Sequence, residues 1–249
     1  MPHYTTSEIA RLAGVHPNTV RFYESVGFIT KPCRKPNGYR VYTGLHLRQL
    51  ALIRIAMRAE ILQCGLRKKA VEIVRLCALP DVDAAITAAK EYAVIIESEK
   101  ARAKNAIRAV EAQLQNRAAD TPPLSLTRKE AAAKLGITTD TLRNWELNGL
   151  FTAARADNGY RRYDGAAMER LNIIRTLRCA NYSLSAILRL MSALSTSTDV
   201  TVAAALNTPG ANEDVLSACD RLLYALSRTR RDAKLLLCAL QDIKKDFST

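Results

Sequence analysis

The chain has 249 residues, of which 48% are hydrophobic, so it is long enough for two small domains and too apolar for wholesale disorder. An excess of 37 Lys and Arg over 24 Asp and Glu gives a net charge of +13, which favours a polyanionic partner. The sequence does not support a membrane as that partner, because no apolar run approaches the ~18–20 residues of a spanning helix. The N-terminus lacks the apolar core of a signal peptide, so we expect a cytoplasmic, nucleoid-associated protein with no membrane partner.

Cysteine and histidine spacing argues against a metal site. The six cysteines are scattered without a C-x-x-C pair, and His3, His16 and His46 all lie in the first fifth of the chain. Zinc sites need such residues in closely spaced pairs, so free thiols are favoured over metal ligands. The sequence predicts no metal and no cofactor.

An internal repeat organises the sequence. Two segments align at an offset of 122 and then 121, which places NGYRVY (Asn37–Tyr42) over NGYRRY (Asn158–Tyr163). The positive charge follows the repeat. Residues 1–80 hold 13 Lys and Arg against four Asp and Glu, and residues 124–194 hold 11 against six. The chain therefore contains two copies of one basic domain.

Each copy begins with the pattern of a helix-turn-helix. The first helix starts at a capping box, in which a Thr hydroxyl and a Glu carboxylate bind each other's backbone amides. The boxes are Thr5 with Glu8 and Thr127 with Glu130. Gly14 and Gly136 follow, where a turn with positive φ is expected.

The second helix of each copy carries the side chains that we expect to face outward. It starts at His16 with Pro17 in the first copy and at Thr138 in the second. Val20 and Leu142 fit the small core. The outward positions are Asn18, Thr19 and Arg21 in the first copy and Asp140, Thr141 and Arg143 in the second.

A β-hairpin is predicted next, because Asn-Gly is a strong turn signal and Tyr-Arg-x-Tyr alternates faces as a strand does. Two tyrosines that flank an arginine suit a phosphate backbone, since hydroxyls and a guanidinium donate hydrogen bonds. The alternative is that the tyrosines fill the core, which we expect for one of each pair. The pairs are Tyr39 with Tyr42 and Tyr160 with Tyr163.

Two further helices with a 3.6-residue apolar period are predicted after each hairpin. They span Leu45–Ala59 and Leu66–Leu76 in the first copy, and Ala166–Cys179 and Ser183–Leu194 in the second. We interpret these helices as the support of each small domain.

The order R-F-Y-E, G-F-I and G-Y-R-x-Y resembles the winged helix-turn-helix of MerR-family transcriptional regulators. The second copy is similar, with R-N-W-E, G-L-F, G-Y-R-R-Y and N-Y-S-L-S-A-I, and the resemblance covers roughly residues 4–76 and 125–194. It implies a DNA-binding domain, which in that family occurs once per chain and precedes a long helix that pairs with a second subunit. It also implies double-stranded promoter DNA and RNA polymerase holoenzyme as partners.

The resemblance assigns the DNA contacts residue by residue. They are Arg21, Tyr23, Tyr39, Arg40 and Tyr42 in the first copy, and Arg143, Trp145, Tyr160, Arg161 and Tyr163 in the second. Trp145 stands where a tyrosine is expected, and an indole donates a hydrogen bond but cannot accept one. Asp140 stands where the first copy has Asn18, and its carboxylate could accept from a cytosine amine. We therefore expect the two copies to bind different half-sites.

A segment with a heptad-like apolar seam follows each copy. The seams are Ile86, Ala89, Ala93, Ile96, Lys100, Ala103, Ile107, Val110 and Leu114, and Val215, Cys219, Leu222, Leu226, Thr229, Ala233, Leu236, Leu240 and Ile243. Each has one polar member, Lys100 or Thr229, at its fifth place, so an antiparallel pair would bring these two together. Packing of each seam on its own domain is the alternative; the matched lengths favour pairing.

The expected fold is mainly α: two winged helix-turn-helix domains, each followed by a long helix, with the two long helices paired as an antiparallel coiled coil. The expected segments are 1–80 for the first DNA-binding domain and 81–119 for the first long helix. Residues 120–194 form the second DNA-binding domain, and 195–249 form a linker and the second long helix.

The sequence therefore predicts a sequence-specific bacterial transcription regulator, a monomer that acts as a single-chain pseudo-dimer, distorts promoter DNA between two half-sites and activates RNA polymerase. The alternative is a DNA-bending architectural or recombination accessory protein similar to excisionases. An enzyme is not predicted, because no Ser/His/Asp set, Gly-rich phosphate loop or paired-carboxylate cleft is visible. Control without an effector, or with one held against the coiled coil, is favoured over metal sensing, and packing over thiol sensing at Cys219 and Cys238.

Overall fold

The computed structural model describes residues 2–58, 65–79, 81–116, 125–156, 158–196, 200–208 and 221–247. Contacts divide the chain into two compact units. Unit 1 consists of Met1–Ser98 together with Leu226–Thr249, and unit 2 consists of Glu99–Ala225. Each repeated domain lies within one unit, whereas each long helix contributes residues to both. The segment boundaries expected at 80, 119 and 194 stay predictions.

The elements follow the repeat. In chain order the first part of the chain forms β1 (His3–Tyr4), α1 (Thr6–Ala13), α2 (Pro17–Ser25), β2 (Cys33–Arg34), β3 (Arg40–Thr43), α3 (Gly44–Ala56), α4 (Leu66–Cys77) and α5 (Val82–Gln115). The second part forms α6 (Arg128–Leu135), α7 (Thr139–Leu147), β4 (Ala154–Arg155), β5 (Arg161–Arg162), α8 (Gly165–Cys179), α9 (Leu184–Thr196), α10 (Val202–Asn207) and α11 (Leu222–Phe247). The short helix α10 lies in a stretch that was expected to be a linker.

The helix-turn-helix signals act as predicted. Both capping boxes are formed, and α1 and α6 end before Gly14 and Gly136, which have φ values of 64° and 63°. A side chain at Gly14 would also lie 3.3 Å from Nη1 of Arg54, whose guanidinium donates to the carbonyl of Ala13 at 3.0 Å. The turn of the first copy is therefore fixed by backbone conformation and by a side chain from α3.

Strands β2 and β3 form an antiparallel hairpin with Arg34 opposite Arg40. At its tip the amide of Gly38 donates to the carbonyl of Lys35 at 2.8 Å, and Gly38 has a φ of 81°. Asn37 and Gly38 therefore occupy the third and fourth positions of a four-residue turn, which Gly38 closes in the left-handed region. Strand β1 pairs with the other edge of β3, and the sequence analysis did not predict it.

The hairpin of the second copy repeats this arrangement with less sheet. Strand β4 pairs with β5, with Arg155 opposite Arg161. The amide of Gly159 donates to the carbonyl of Ala156 at 2.8 Å, as in the first copy. A single bridge between Leu126 and Tyr163 stands where the first copy has β1.

In each copy a side chain of the first support helix donates to a carbonyl of the second, and the two donors occupy equivalent positions of the repeat but are of different residue types. In the first copy the buried side chain of Gln49 donates to the carbonyl of Cys77 and the hydroxyl of Thr30, both at 2.9 Å. In the second copy the guanidinium of Arg170 donates to the carbonyl of Met191 at 3.0 Å. The carbonyl of Cys77 lies at the end of α4, where no intrahelical partner remains, whereas Met191 lies in the second-last turn of α9.

The long helix α5 carries the predicted seam, and most seam side chains are buried along it, including Ile96 and Val110. In α11 every described seam residue from Leu222 to Ile243 is buried. Val215 and Cys219, the first two members of that seam, lie outside the described residues.

Within unit 1 the two long helices contact each other through ion pairs. Lys244 Nζ lies 2.5 Å from Asp83 Oδ1, and Arg230 contacts Glu97 further along α5. Residue numbers rise along α5 while those of the partners fall, so the helices run antiparallel in this unit. The C-terminal helix also reaches the first repeated domain, where Arg48 Nη1 donates to the carbonyl of Asp242 at 3.2 Å.

Within unit 2 the second half of α5 packs on the turn between α8 and α9. Asn181 occupies this turn with a φ of 67°, and its amide donates to the buried carboxylate of Glu99 at 3.1 Å. The hydroxyl of Tyr182 reaches the carbonyl of Ala103, and burial raises the pKa of Tyr182 to about 12. These contacts fix the α8–α9 corner against α5.

Candidate nucleic-acid interface

The second helix of the first copy presents a polar face to solvent. Asn18, Arg21, Phe22 and Ser25 are exposed at spacings of three and four residues, so they share one side of α2. Nη1 of Arg21 donates to Oδ1 of Asn18 at 3.2 Å, which orients the guanidinium along this face. A base edge or a phosphate could bind here. Asn18 and Arg21 are exposed, as predicted, and Phe22 is also exposed although it was not predicted to face outward.

Two other predicted contacts of this helix are less accessible. Thr19 is half-buried. Tyr23 is also half-buried, and its ring lies 5.9 Å from that of Phe28 in a stacked arrangement. Only part of the Tyr23 side chain is therefore available to a partner.

The corresponding helix of the second copy presents a different face. Asp140, Arg143, Asn144 and Leu147 are exposed on α7 with the same spacing. Thr141 is engaged by the helix cap, since its amide donates to Thr138 Oγ1 at 3.1 Å and the two hydroxyls lie 2.8 Å apart. The two copies therefore offer different side chains at equivalent positions.

The structure corrects the assignment of Trp145. Its side chain is 5% exposed, because it lies three residues after the fully buried Leu142 and shares the inner face of α7. The indole contributes to the core of the domain and does not reach the surface. A phosphate contact through Trp145 would require the domain to open.

The tyrosines of each hairpin divide between the surface and the core. Tyr39 and Tyr160 are 72% and 73% exposed, whereas Tyr42 and Tyr163 are fully buried. The expectation that one tyrosine of each pair fills the core is confirmed, and the side chains of Tyr42 and Tyr163 do not face solvent, where a DNA contact was predicted for them. Members of a pair are three positions apart in the chain, so they point to opposite faces of the strand.

The arginine between the tyrosines makes the same ion pair in both copies. Nε of Arg40 lies 2.6 Å from Oε2 of Glu24 at the end of α2, and Nε of Arg161 lies 2.7 Å from Oε1 of Glu146. Both carboxylates are largely buried, while the guanidinium groups remain partly exposed. The bond to Glu146 raises the pKa of Arg161 above its usual value.

These ion pairs join the hairpin to the second helix of the helix-turn-helix. A charge-assisted bond of this length restricts the arginine to one orientation and leaves its terminal nitrogens for a second acceptor. Glu24 and Glu146 were not among the predicted functional residues. Their alignment within the repeat was the available signal.

Another arginine braces the tip of each hairpin. Arg34 Nη1 donates to the carbonyl of Gly38 at 3.3 Å, and Arg155 Nη1 donates to the carbonyl of Gly159 at 3.0 Å. These side chains hold the exposed tyrosines on a defined loop. Each hairpin therefore combines an exposed phenol, a braced turn and an arginine anchored to the adjacent helix.

The second copy also has an open groove, which we call the wing groove, between the start of α6 and the hairpin. Its volume is about 530 Å³. The lining residues are Thr127, Arg128, Lys129, Asn158, Gly159, Tyr160, Arg161 and Arg162. Four of these eight side chains are basic, so the groove is suited to an anion.

Among the residues that the structure describes, the remaining thiols and charged groups form no further candidate site. In the part of the chain that the structure describes, no three His, Cys, Asp or Glu residues are grouped closely enough to hold a metal ion. Cys33, Cys179 and Cys238 are exposed free thiols, whereas burial raises the pKa of Cys77 to about 11. No described helix is both long and apolar enough to cross a membrane.

A braced hairpin beside an exposed second helix, present twice, is the geometry of the helix-turn-helix class of domains. Residues 126–194 match the family described as "MerR HTH family regulatory protein", and residues 5–42 match "MerR family regulatory protein". The chain therefore carries two MerR-type helix-turn-helix segments in tandem.

Relatives in the family share short segments with the chain. The HTH-type transcriptional regulator CueR of Escherichia coli O6:H1 is 46% identical over 50 residues, which cover 20% of this chain and 37% of that protein. CueR of Salmonella typhi is 41% identical over 61 residues, covering 24% and 44%. Nodulation protein NolA of Bradyrhizobium sp. (strain NC92) is 39% identical over 72 residues, covering 28% and 30%. The chain thus spans less than half the length of these relatives, and no solved structure matches it.

Proposed function

We propose that this chain is a sequence-specific transcription regulator that binds double-stranded promoter DNA through both of its helix-turn-helix domains. The observation that carries the proposal is the repeated combination of an exposed arginine on the second helix and a hairpin anchored to that helix by an ion pair. A helix in the major groove reads bases, while the hairpin contacts the adjacent phosphates. The net charge of +13 supplies the attraction to DNA.

We propose further that α5 and α11 pair as an antiparallel coiled coil, so that one chain does the work of two subunits. Support comes from unit 1, where Asp83 and Glu97 are 14 residues apart and so are their partners Arg230 and Lys244. That spacing is two heptads, and each charged residue directly follows a buried one, as flanking charges do in coiled coils. The protein would then be a monomer that occupies two half-sites.

Binding is coupled to activation in this proposal through the DNA between the half-sites. Two domains joined by stiff helices can force a duplex to bend or untwist at its centre, at a cost of about 1–6 kcal/mol that phosphate contacts offset. RNA polymerase holoenzyme would then engage the distorted promoter. Ala103→Pro, which interrupts α5 at a buried position, should abolish permanganate reactivity at the operator centre and transcription in vitro while half-site binding persists. Parent-like distortion by this variant would contradict the mechanism.

The experiment that tests DNA recognition uses the region upstream of the protein's own gene. Footprinting of the parent should show two adjacent protected half-sites, and sedimentation should show one chain per operator. Arg21→Ala should weaken one half and Arg143→Ala the other, each by about 1–3 kcal/mol. Equal loss across both halves from either variant, or two chains on one operator, would contradict the pseudo-dimer.

A further inference from the structure

We propose that the wing groove of the second copy is a binding site for a DNA backbone phosphate that has no equivalent in the first copy. The inference rests on the proposed DNA-binding function and adds that the two domains contact DNA phosphates with different strength. It concerns three basic side chains to which sequence analysis gave no role: Arg128, Lys129 and Arg162.

Most of the positive charge in the groove is not matched by an ion pair with a described residue. Arg161 is engaged by Glu146, but Arg128, Lys129 and Arg162 form no ion pair among the described residues. Nε of Arg128 is buried and has no hydrogen-bond partner within the same part of the chain. A buried donor without an acceptor is costly, and a phosphate oxygen in the groove would relieve that cost.

The nearest acidic group on α6 is already satisfied. Oε2 of Glu130 accepts from the amide and the hydroxyl of Thr127, both at 2.8 Å. These bonds, together with the charge of Arg162, hold the pKa of Glu130 below its usual value. The carboxylate stays ionised in the cap, and the other basic groups remain available to a ligand.

The remaining lining suits a phosphate more than a carboxylate or a planar ligand. The groove is open to solvent along its length, and the exposed hydroxyl of Tyr160 can donate beside the guanidinium groups. The first amide groups of α6 add the positive end of a helix dipole. Guanidinium, amine, hydroxyl and amide donors together match the several oxygens of a backbone phosphate.

The first copy has neutral residues at each of these positions. The repeat places Thr6, Ser7 and Val41 where the second copy has Arg128, Lys129 and Arg162. In the first copy the hydrogen bonds from Thr5 lower the pKa of Glu8, and the charges of Arg11 and Lys35 lower it further, so these two basic side chains lie near the equivalent helix start. The helix start and its capping box are common to both copies, so the difference lies in the three exchanged positions.

The consequence is that the two domains contact the duplex with different strength and at different phosphates. The second copy anchors the protein through a sequence-independent contact. The first copy, which has neutral residues at these three positions, depends more on the exposed face of α2. Binding should therefore begin at the second domain.

The test exchanges residues between the copies in the full chain. The groove variant carries the first copy's residues, Arg128→Thr, Lys129→Ser and Arg162→Val. The reciprocal variant carries Thr6→Arg, Ser7→Lys and Val41→Arg. A charge-matched control removes three exposed basic residues of α5 by Lys90→Gln, Lys104→Gln and Arg108→Gln.

The measurement is fluorescence anisotropy with a mixed-sequence duplex of about 24 base pairs in about 50–200 mM KCl. Each phosphate contact contributes about 0.9 to the slope of log Kd against log salt, so the groove variant, which loses one phosphate contact, should lose about 0.9 from that slope. The reciprocal variant should gain a similar amount, and the control should retain the parent's slope.

Two results would overturn the site. Equal slopes for the groove variant and the parent would do so, as would an equal reduction in the control. A parent that binds no duplex at any salt concentration would instead refute the proposed function. If the groove variant fails to fold, the reciprocal variant alone decides the question.

Discussion

Tyr163→Phe should raise stability and leave DNA binding unchanged, whereas Tyr160→Phe should weaken DNA binding and leave stability unchanged. Tyr163 is fully buried, and its hydroxyl has no hydrogen-bond partner among the described residues. Its ring packs with that of Phe151 at 6.1 Å, and its backbone pairs with Leu126 at 2.9 Å in both directions. Tyr163→Phe keeps these contacts and removes only the unpartnered group.

The expected magnitude follows from the desolvation of that hydroxyl. An unpaired buried hydroxyl costs about 1–3 kcal/mol, so Tyr163→Phe should raise the free energy of unfolding by about 1 kcal/mol. For a chain of this size that is a rise in Tm of about 2–4 °C. DNA affinity should not change, because the ring does not reach the surface.

Tyr160→Phe is the matched control, since it makes the same chemical change three residues earlier on the same hairpin. Its side chain is 73% exposed, so stability should not change. Loss of a hydroxyl that donates to a phosphate should weaken DNA binding by about 0.5–1.5 kcal/mol. Urea denaturation and fluorescence anisotropy on both variants complete the comparison. If Tyr163→Phe weakens DNA binding as much as Tyr160→Phe does, the division of the tyrosines between core and surface is wrong.

Two further changes examine the fold. Leu236→Ala, at a position 1% exposed, should lower the free energy of unfolding by about 2–5 kcal/mol. The control Leu235→Ala, at a position 49% exposed, should lower it by under about 1 kcal/mol. Similar urea midpoints for both variants would show that α11 does not pack as described. Burial lowers the pKa of His46, whose Nδ1 accepts from the amide of Thr43 at 3.0 Å. Below about pH 6.5 the unfolded chain therefore binds more protons than the folded chain, so the free energy of unfolding should fall as the pH drops through that value. Gln in place of His46 can still cap Thr43 but does not titrate, so a Tm of His46→Gln that falls as steeply as the parent's would assign the effect to another group.

The helix-turn-helix was predictable because its signals are local. Thr5 and Glu8 are three residues apart, and Gly14 needs only its own φ to end α1. Such features depend on a few neighbouring residues, so a single sequence contains them. The heptad seam of α5 was predictable for the same reason, since its period repeats over many turns.

Features that depend on how elements meet were not predictable. The pair of Glu24 with Arg40 joins residues 16 positions apart, and its formation depends on how the hairpin lies against α2. The pattern of alternating faces indicated that one tyrosine of each pair is buried, but not which one. Trp145 was assigned by resemblance to a surface position, whereas the inner face of α7 determines its burial. The two-residue strand β1 is too short to show a period.

The composition of unit 1 has a consequence for the order in which the chain folds during synthesis. Unit 1 needs residues from Leu226 onward, yet the whole of Glu99–Ala225 is translated before them. At about 5–20 residues per second, the first domain waits roughly 10 s after its own synthesis for the helix that completes its unit. Unit 2 is continuous and acquires all its residues first. The order of completion is therefore the reverse of the usual progression from the N-terminus, and a nascent chain exposes the unit 1 part of the α5 seam until α11 leaves the ribosome.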